Sequence, residues 1–251
     1  MDKVLLEVRD ISKSFGGVQA VDRVSFSIQH GDVFAIVGDN GAGKSTLIKM
    51  ISGAYKRDHG DVLWEGEPVQ IHSPEDARRL GIETMYQDLA LVGDVDAAGN
   101  IFLGREPMTR LLGIIPVLDR KAMRRVSRSL LERIRIQLPD LDRPVRQLSG
   151  GQRQATAIAR FLLNDHARCI IMDEPTAALG VQEARKVTDL IRKLKDEDIT
   201  VVVISHNLEH VFSVSDKIMV LRGGRLAGIR DTHTSTKQEI VSLIMGAEVS
   251  A

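Results

Sequence analysis

Gly38-Asp39-Asn40-Gly41-Ala42-Gly43-Lys44-Ser45 sets three glycines, a lysine and a hydroxyl in the spacing G-x-x-x-x-G-K-S. Glycines let backbone N–H groups close around an anion, and a following helix N-terminus adds positive potential. In such a loop the lysine neutralises the outer phosphates of a nucleoside triphosphate, and the hydroxyl ligates Mg²⁺. The pattern therefore assigns Gly38, Asp39, Asn40, Gly41, Ala42, Gly43, Lys44, Ser45 and Thr46 to phosphate binding, with Ser45 also a metal ligand. Ile170-Ile171-Met172-Asp173-Glu174 supplies the complementary chemistry. A carboxylate at the end of a buried strand is poorly solvated and needs a cation partner. Asp173 is the candidate Mg²⁺ ligand, and Glu174 the candidate to orient or deprotonate an attacking water. Alone, the pair would equally suit the start of a surface loop that Pro175 turns. Leu148-Ser149-Gly150-Gly151-Gln152 is a third cluster. Ser149 and Gln152 have capping-box spacing, and the two glycines leave N–H groups bare at a helix N-terminus, an anion site.

These groups need particular elements to hold them. Val33 to Val37 is a continuous apolar run, as in a strand buried on both faces, and Lys44 to Ile51 reads as a helix with Gly53 just past its end. Val24, Phe26 and Ile28 alternate with polar residues like a half-buried strand. From Asp119, a candidate N-cap, the apolar residues Met123, Val126, Leu130 and Ile134 recur at helical spacing, with Arg120, Lys121, Arg124, Arg125, Arg128 and Arg133 between them. A second helix follows Ser149. Strands are expected at Cys169 to Met172 and Val201 to Ile204, a helix from Val181 to Leu194, and a hairpin around Gly223-Gly224. Thr236 and Glu239 have capping-box spacing at the start of a closing helix. Alternating β and α elements predict an α/β fold whose mainly parallel sheet is covered on both faces. The expected core is residues 1–86 and 166–251, with an inserted α-helical subdomain over 87–165.

The 251 residues carry 34 Lys+Arg against 34 Asp+Glu. Roughly 150 residues per domain places such a chain between one and two domains. Zero net charge argues against a broad nucleic-acid footprint, and the basic run after Asp119 reads as the solvated face of a packed helix. The lone Cys169 excludes an intramolecular disulfide and suits reducing, intracellular surroundings. No apolar run approaches the length of a membrane span. The most apolar stretch, Leu111 to Leu118, is broken by Gly113 and Pro116 and is expected to pack in the core.

In their order along the chain, the three clusters resemble the motifs of ATP-binding-cassette ATPases, and the likeness runs from about Leu5 to Gly246. The resemblance implies ATP and Mg²⁺ as ligands, and a P-loop α/β core with added antiparallel strands and a helical subdomain. It implies a head-to-tail dimer in which Ser149, Gly150, Gly151 and Gln152 of one copy contact ATP held by the other. By the same resemblance, Gln87 approaches Mg²⁺ and water, His206 lies near the γ-phosphate, and Phe15 stacks on adenine. The motifs Asn100 to Glu106 and Glu239 to Gly246 are similar to those of simple-sugar import ATPases of the ribose, xylose and fructose type. That likeness implies a permease as a separate chain, an extracytoplasmic solute-binding protein beyond it, and a place at the cytoplasmic face of the membrane. Direct nucleic-acid binding is not expected.

One position departs from the family. Gly180 stands where an aspartate usually couples the two ATP sites, although Ala177-Ala178-Leu179-Gly180-Val181 is similar to a variant among the sugar importers. Other readings are an importer of nucleosides or another small polar solute, a cassette ATPase acting on chromosomes or ribosomes, and a nucleotide-binding regulator with little hydrolysis. Lys44 and Ser149 stand too close for a long coiled-coil insertion, which disfavours the chromosomal class.

Overall fold

The computed structural model describes residues 3–246 apart from 87, 88, 112, 134, 135, 137, 139, 165, 178 and 179. Strands β1 (Val4–Phe15) and β2 (Val18–Gln29) pair antiparallel, with Val24, Phe26 and Ile28 buried and Ser25 and Ser27 exposed. All five residues of β3 (Val33–Val37) are buried. The glycine loop leads into α1 (Lys44–Ile51), and Gly53, at φ 74°, turns the chain just after that helix. β4 (His59–Trp64) and β5 (Glu67–Val69) complete a four-stranded sheet in the order β2-β1-β4-β5.

After α2 (Pro74–Arg79) and β6 (Ile82–Met85) the chain becomes largely helical. α3 (Ala97–Phe102) is followed by the short strands β7 (Met108–Leu111) and β8 (Ile115–Leu118). The helices α4 (Arg120–Arg133) and α5 (Gly150–Leu162) follow. Alternation then returns with β9 (Cys169–Asp173), α6 (Val181–Asp196), β10 (Thr200–Ile204) and α7 (Leu208–Val214). The chain closes with β11 (Lys217–Arg222), β12 (Arg225–Asp231) and α8 (Lys237–Met245). The second sheet runs β12-β11-β3-β10-β9-β6; neighbours from β11 to β9 are parallel and β12 is antiparallel. The chain divides into two compact units. One holds Met1–Thr84, His166–Pro175 and Ile191–Ala251, the other Met85–Asp165 and Thr176–Leu190.

β3 explains why its sequence is apolar throughout. Phe34 and Ile36 join a cluster with Leu47, Ile48 and Ile51 of α1, while Ala35 and Val37 face Val211, Ile218 and Ile240 on the other side. Phe26 and Phe34 stack with centroids 5.7 Å apart. In the helical unit, Asp119 caps α4 by accepting the Ala122 N–H at 2.9 Å. Met123, Leu130 and Leu131 are buried, Val126 is half-buried, and Ile134 lies outside the described residues. The six basic residues of this helix are exposed. Buried Asn100 binds the N–H and C=O of Val92 and the carbonyls of Val95 and Asp96, so its amide ties down the entry to α3.

One expectation fails and another is met in part. The described part of Leu111 to Leu118 does not form core: Gly113, at φ 78°, turns the chain between β7 and β8, which among the described residues pair only with each other. Ile114 and Ile115 are 79% and 53% exposed. The closing capping box is only half made. Thr236 Oγ1 accepts the Glu239 N–H at 3.2 Å, but the Glu239 carboxylate accepts Arg230 Nε instead. Among the described residues no helix is long and apolar enough to cross a membrane.

Cys169 is fully buried in β9, and burial pushes its thiol up to about 12. The native chain is expected to take up no thiol reagent in mildly alkaline buffer and one equivalent after denaturation. Rapid labelling of native protein would contradict this burial.

Candidate functional site

The strand order β3-β10-β9 brings three loops side by side. Ile204 pairs with Ile36 on one side and Asp173 on the other, so the chain leaves the sheet at neighbouring points toward Gly38, Ser205 and Glu174. Ligands of open α/β sheets sit beyond these carboxyl ends.

The glycine loop has no room for side chains at its two ends. A Cβ on Gly38, at φ 149°, would meet the Leu221 carbonyl at 2.2 Å, and one on Gly43, at φ 99°, would meet the Ala20 carbonyl at 2.4 Å. Gly43 is the N-cap of α1 and offers no side-chain acceptor, so the first N–H groups of the helix are free of a side-chain cap. The Gly224 N–H donates to the Ala42 carbonyl at 3.1 Å, and the Gly224 carbonyl accepts the Asp22 N–H at 2.8 Å, bracing the loop from behind. Sequence reasoning missed this brace, whose only signal was the pair Gly223-Gly224.

Lys44 is buried, and its Nζ donates to the carbonyls of Gly38 at 2.6 Å and Asp39 at 2.9 Å. Burial lowers its pKa, while the charges of Glu174, Asp173 and Asp39 oppose the shift. An entering phosphate would take these two bonds from the loop carbonyls. Asp39, Asn40, Gly41 and Ser45 are exposed, Gly38 and Ala42 are buried, and Thr46 is half-buried.

Asp173 ends β9 with its pKa raised, first by burial and then by Glu174, against the pull of Lys44 and Lys49. A cation there would restore its charge. Among the described residues, no three His, Cys, Asp or Glu side chains group as a metal cage. Mg²⁺ ordinarily needs only one or two carboxylates together with substrate phosphates. Asp173 and the exposed Ser45 hydroxyl fit that donor set.

Glu174 adopts φ 50°, a left-handed conformation uncommon for a residue with a side chain. Its N–H donates to the Ile204 carbonyl at 2.9 Å. Its Oε1 accepts the backbone N–H of His206 at 3.1 Å and lies 2.7 Å from His206 Nδ1. The carboxylate is mostly buried, whereas the His206 ring is 72% exposed. His210 is a further neighbour that the sequence reading missed. It is buried on α7, burial lowers its pKa against the Glu174 charge, and neither ring nitrogen has a hydrogen-bond partner among the described residues.

Phe15 ends β1 with 45% of its surface exposed. Tyr55 meets the ring edge-on at 5.3 Å, and Lys13 Nζ lies 5.5 Å from its centroid. Tyr55 thus fixes an aromatic platform, a role not legible from spacing alone.

In the helical unit, Ser149 caps α5 in a complete capping box. Its Oγ accepts the Gln152 N–H at 3.3 Å, and Gln152 Oε1 accepts the Ser149 N–H at 3.0 Å. Gly150 and Gly151 form the first helical positions without side chains over their N–H groups. The capping reading and the anion reading are therefore compatible. Gln87 lies outside the described residues. Gly180 is exposed, and its carbonyl accepts the Ala184 N–H at 2.9 Å as α6 begins.

Residues 21–177 match the family described as ABC transporter. The xylose/arabinose import ATP-binding protein of Sulfolobus acidocaldarius is 48% identical over 96% of this chain and 93% of its own length. The fructose import ATP-binding protein of Rhizobium meliloti is 43% identical over 97% of this chain and 95% of its own. A ribose import ATP-binding protein of Rubrobacter xylanophilus is 46% identical, but this chain spans only 48% of its length. A nucleotide-free ATP-binding cassette from an ABC transporter superposes with a TM-score of 0.80 at 28% identity, covering 96% of this chain and 95% of that one.

Replacing Phe15 by Ala removes the platform braced by Tyr55. With base–aromatic stacking worth ~1–3 kcal/mol, ATP affinity should fall by roughly fivefold to a hundredfold, with Phe15→Tyr retaining it. Equilibrium binding of ATP in the absence of turnover reads this directly, and an unchanged Kd would remove Phe15 from the site.

Proposed function

The chain belongs to the ABC transporter family, and from that premise we propose that it hydrolyses ATP to drive import of a simple sugar through a separate membrane permease. The observation that carries the hydrolytic reading is the Glu174–His206 contact at the strand ends beside the phosphate loop. Phosphoryl transfer asks mainly for positioning and charge stabilisation. Gly38 to Thr46 would wrap the phosphates in backbone N–H groups, and Lys44 would exchange its two carbonyl partners for β- and γ-phosphate oxygens. Mg²⁺ held by Ser45, Asp173 and Gln87 would neutralise charge on the β- and γ-phosphates. Glu174 would accept a proton from the attacking water. Its left-handed backbone and its N–H bond to Ile204 fix where the carboxylate points, and His206 holds one carboxylate oxygen while its exposed ring would be free to meet the γ-phosphate.

The two compact units are read as one nucleotide-binding module. Two helix starts in it suit anions, one at Gly43 and one at Gly150, and they lie in different units. A head-to-tail pair of chains would use both, with Ser149, Gly150, Gly151 and Gln152 of one copy closing on ATP held by the other. Gly180 has no side chain to link the two ATP sites, so coupling between them would rest on the shared nucleotides. Sugar import is supported by the relatives named for xylose/arabinose, fructose and ribose. The permease would hold the chain at the cytoplasmic face of the membrane, with a solute-binding protein delivering the sugar from outside.

Glu174→Gln should leave ATP binding intact while slowing turnover by ~10²–10⁴, the scale of general-base catalysis. The same variant should dimerise at saturating MgATP, as read by sedimentation. Unchanged turnover would sink the role of Glu174, and a strictly monomeric species would sink the paired arrangement. Isolation of the native complex tests the rest, with a sugar permease as the expected membrane partner.

A further inference from the structure

The β7–β8 ribbon and the helix that follows it leave two kinds of surface without a partner. Among the described residues the ribbon pairs with no other strand, and Met108, Ile114, Ile115 and Leu118 are each between 45% and 79% exposed. Met108 lies opposite Leu118, and Ile115 stands three residues before Leu118 on β8, so exposed apolar residues occupy both faces. A two-stranded ribbon of this kind is marginal in water. β8 passes through Asp119 directly into α4, where Lys121, Arg125 and Arg128 recur at i, i+4 and i+7. They are exposed on the side opposite buried Met123, Ser127 and Leu130. Arg120 and Arg124 pair with Asp96 and Asp142, but none of these three has an ion-pair partner among the described residues. Lys121 and Arg125 are like charges at i, i+4, which destabilises a helix, and the face carries one acidic residue, exposed Glu132, one turn beyond Arg128.

We propose that the β7–β8 ribbon and the Lys121–Arg125–Arg128 face of α4 dock on the anionic headgroup surface of a lipid bilayer. Apolar side chains beside a basic helical face are the composition of an interfacial segment. A negatively charged leaflet attracts each nearby Lys or Arg by about 1 kcal/mol, roughly fivefold in partition. Permease loops on the cytoplasmic side carry an excess of Lys and Arg, so this face would repel them. A nucleic acid would answer the charge but leave Ile114 and Ile115 uncovered. The inference rests on the membrane location proposed above only in requiring a leaflet within reach.

The full chain is mixed with vesicles of phosphatidylcholine and phosphatidylglycerol in equal parts, and separately with phosphatidylcholine alone, and binding is read by co-sedimentation. Binding to the anionic vesicles is expected, with much weaker binding to the neutral ones and loss in high salt. The combined variant Lys121→Gln, Arg125→Gln, Arg128→Gln should weaken partition by ~10²-fold with basal ATPase unchanged. Ile114→Ser with Ile115→Ser should weaken it independently, and circular dichroism checks that each variant is folded. No binding of the wild-type chain, equal binding to both vesicles, or a charge variant that binds like wild type would overturn the proposal. Variants that bind vesicles normally but fail to assemble with the permease would assign the face to a protein instead. Because no permease is present in the vesicle assay, failure there leaves the transport reading standing.

Discussion

The parallel ladder joining β3, β10 and β9 is the constraint on which the candidate site depends. Its register sets Ile204 between Ile36 and Asp173, so the phosphate loop, the carboxylate pair and His206 leave the sheet at neighbouring points. A one-residue slip would turn every side chain of a strand to the opposite face. It would also break the bond from the Glu174 N–H to the Ile204 carbonyl, which anchors Glu174 in its left-handed conformation. The apolar residues on both faces of β3 are thus responsible for more than core stability, because their burial holds the register that aims the chemistry.

Charge is handled locally. The chain balances 34 cationic against 34 anionic side chains, yet burial pushes Lys44 and Asp173 each toward its neutral form. Each partly offsets the other's shift, which leaves the pair sensitive to any phosphate or cation that enters between the strand ends. On α4 the opposite condition holds: basic residues stand in solvent with few acidic partners. Neutrality over the whole chain therefore conceals a half-buried mixed-sign site and a basic exposed face.

Much of the architecture was legible because its signals are local. Lys44–Ile51 and Val33–Val37 have the bounds that their apolar patterns imply, and Asp119 and Ser149 cap the helices they were read to start. One reading failed and one was half met where a partner on another element, or the lack of one, decided the outcome. Glu239 turned from its capping role to Arg230, a residue on a neighbouring strand. Leu111 to Leu118 was expected in the core on its hydrophobicity despite the break at Gly113, whereas the turn there makes a ribbon that no other strand joins among the described residues.

The sequence by itself determined which groups are available: a phosphate loop, two adjacent carboxylates, a capped glycine pair and an aromatic before a turn. These are patterns of neighbouring residues, and short-range sterics and hydrogen bonding suffice to specify them. Only the tertiary structure decided that Glu174 and His206 share an oxygen, that Tyr55 steadies Phe15, and that Gly224 braces the loop at Ala42. Those contacts join segments far apart in the chain. Their geometry follows from strand order and register, which no local pattern encodes.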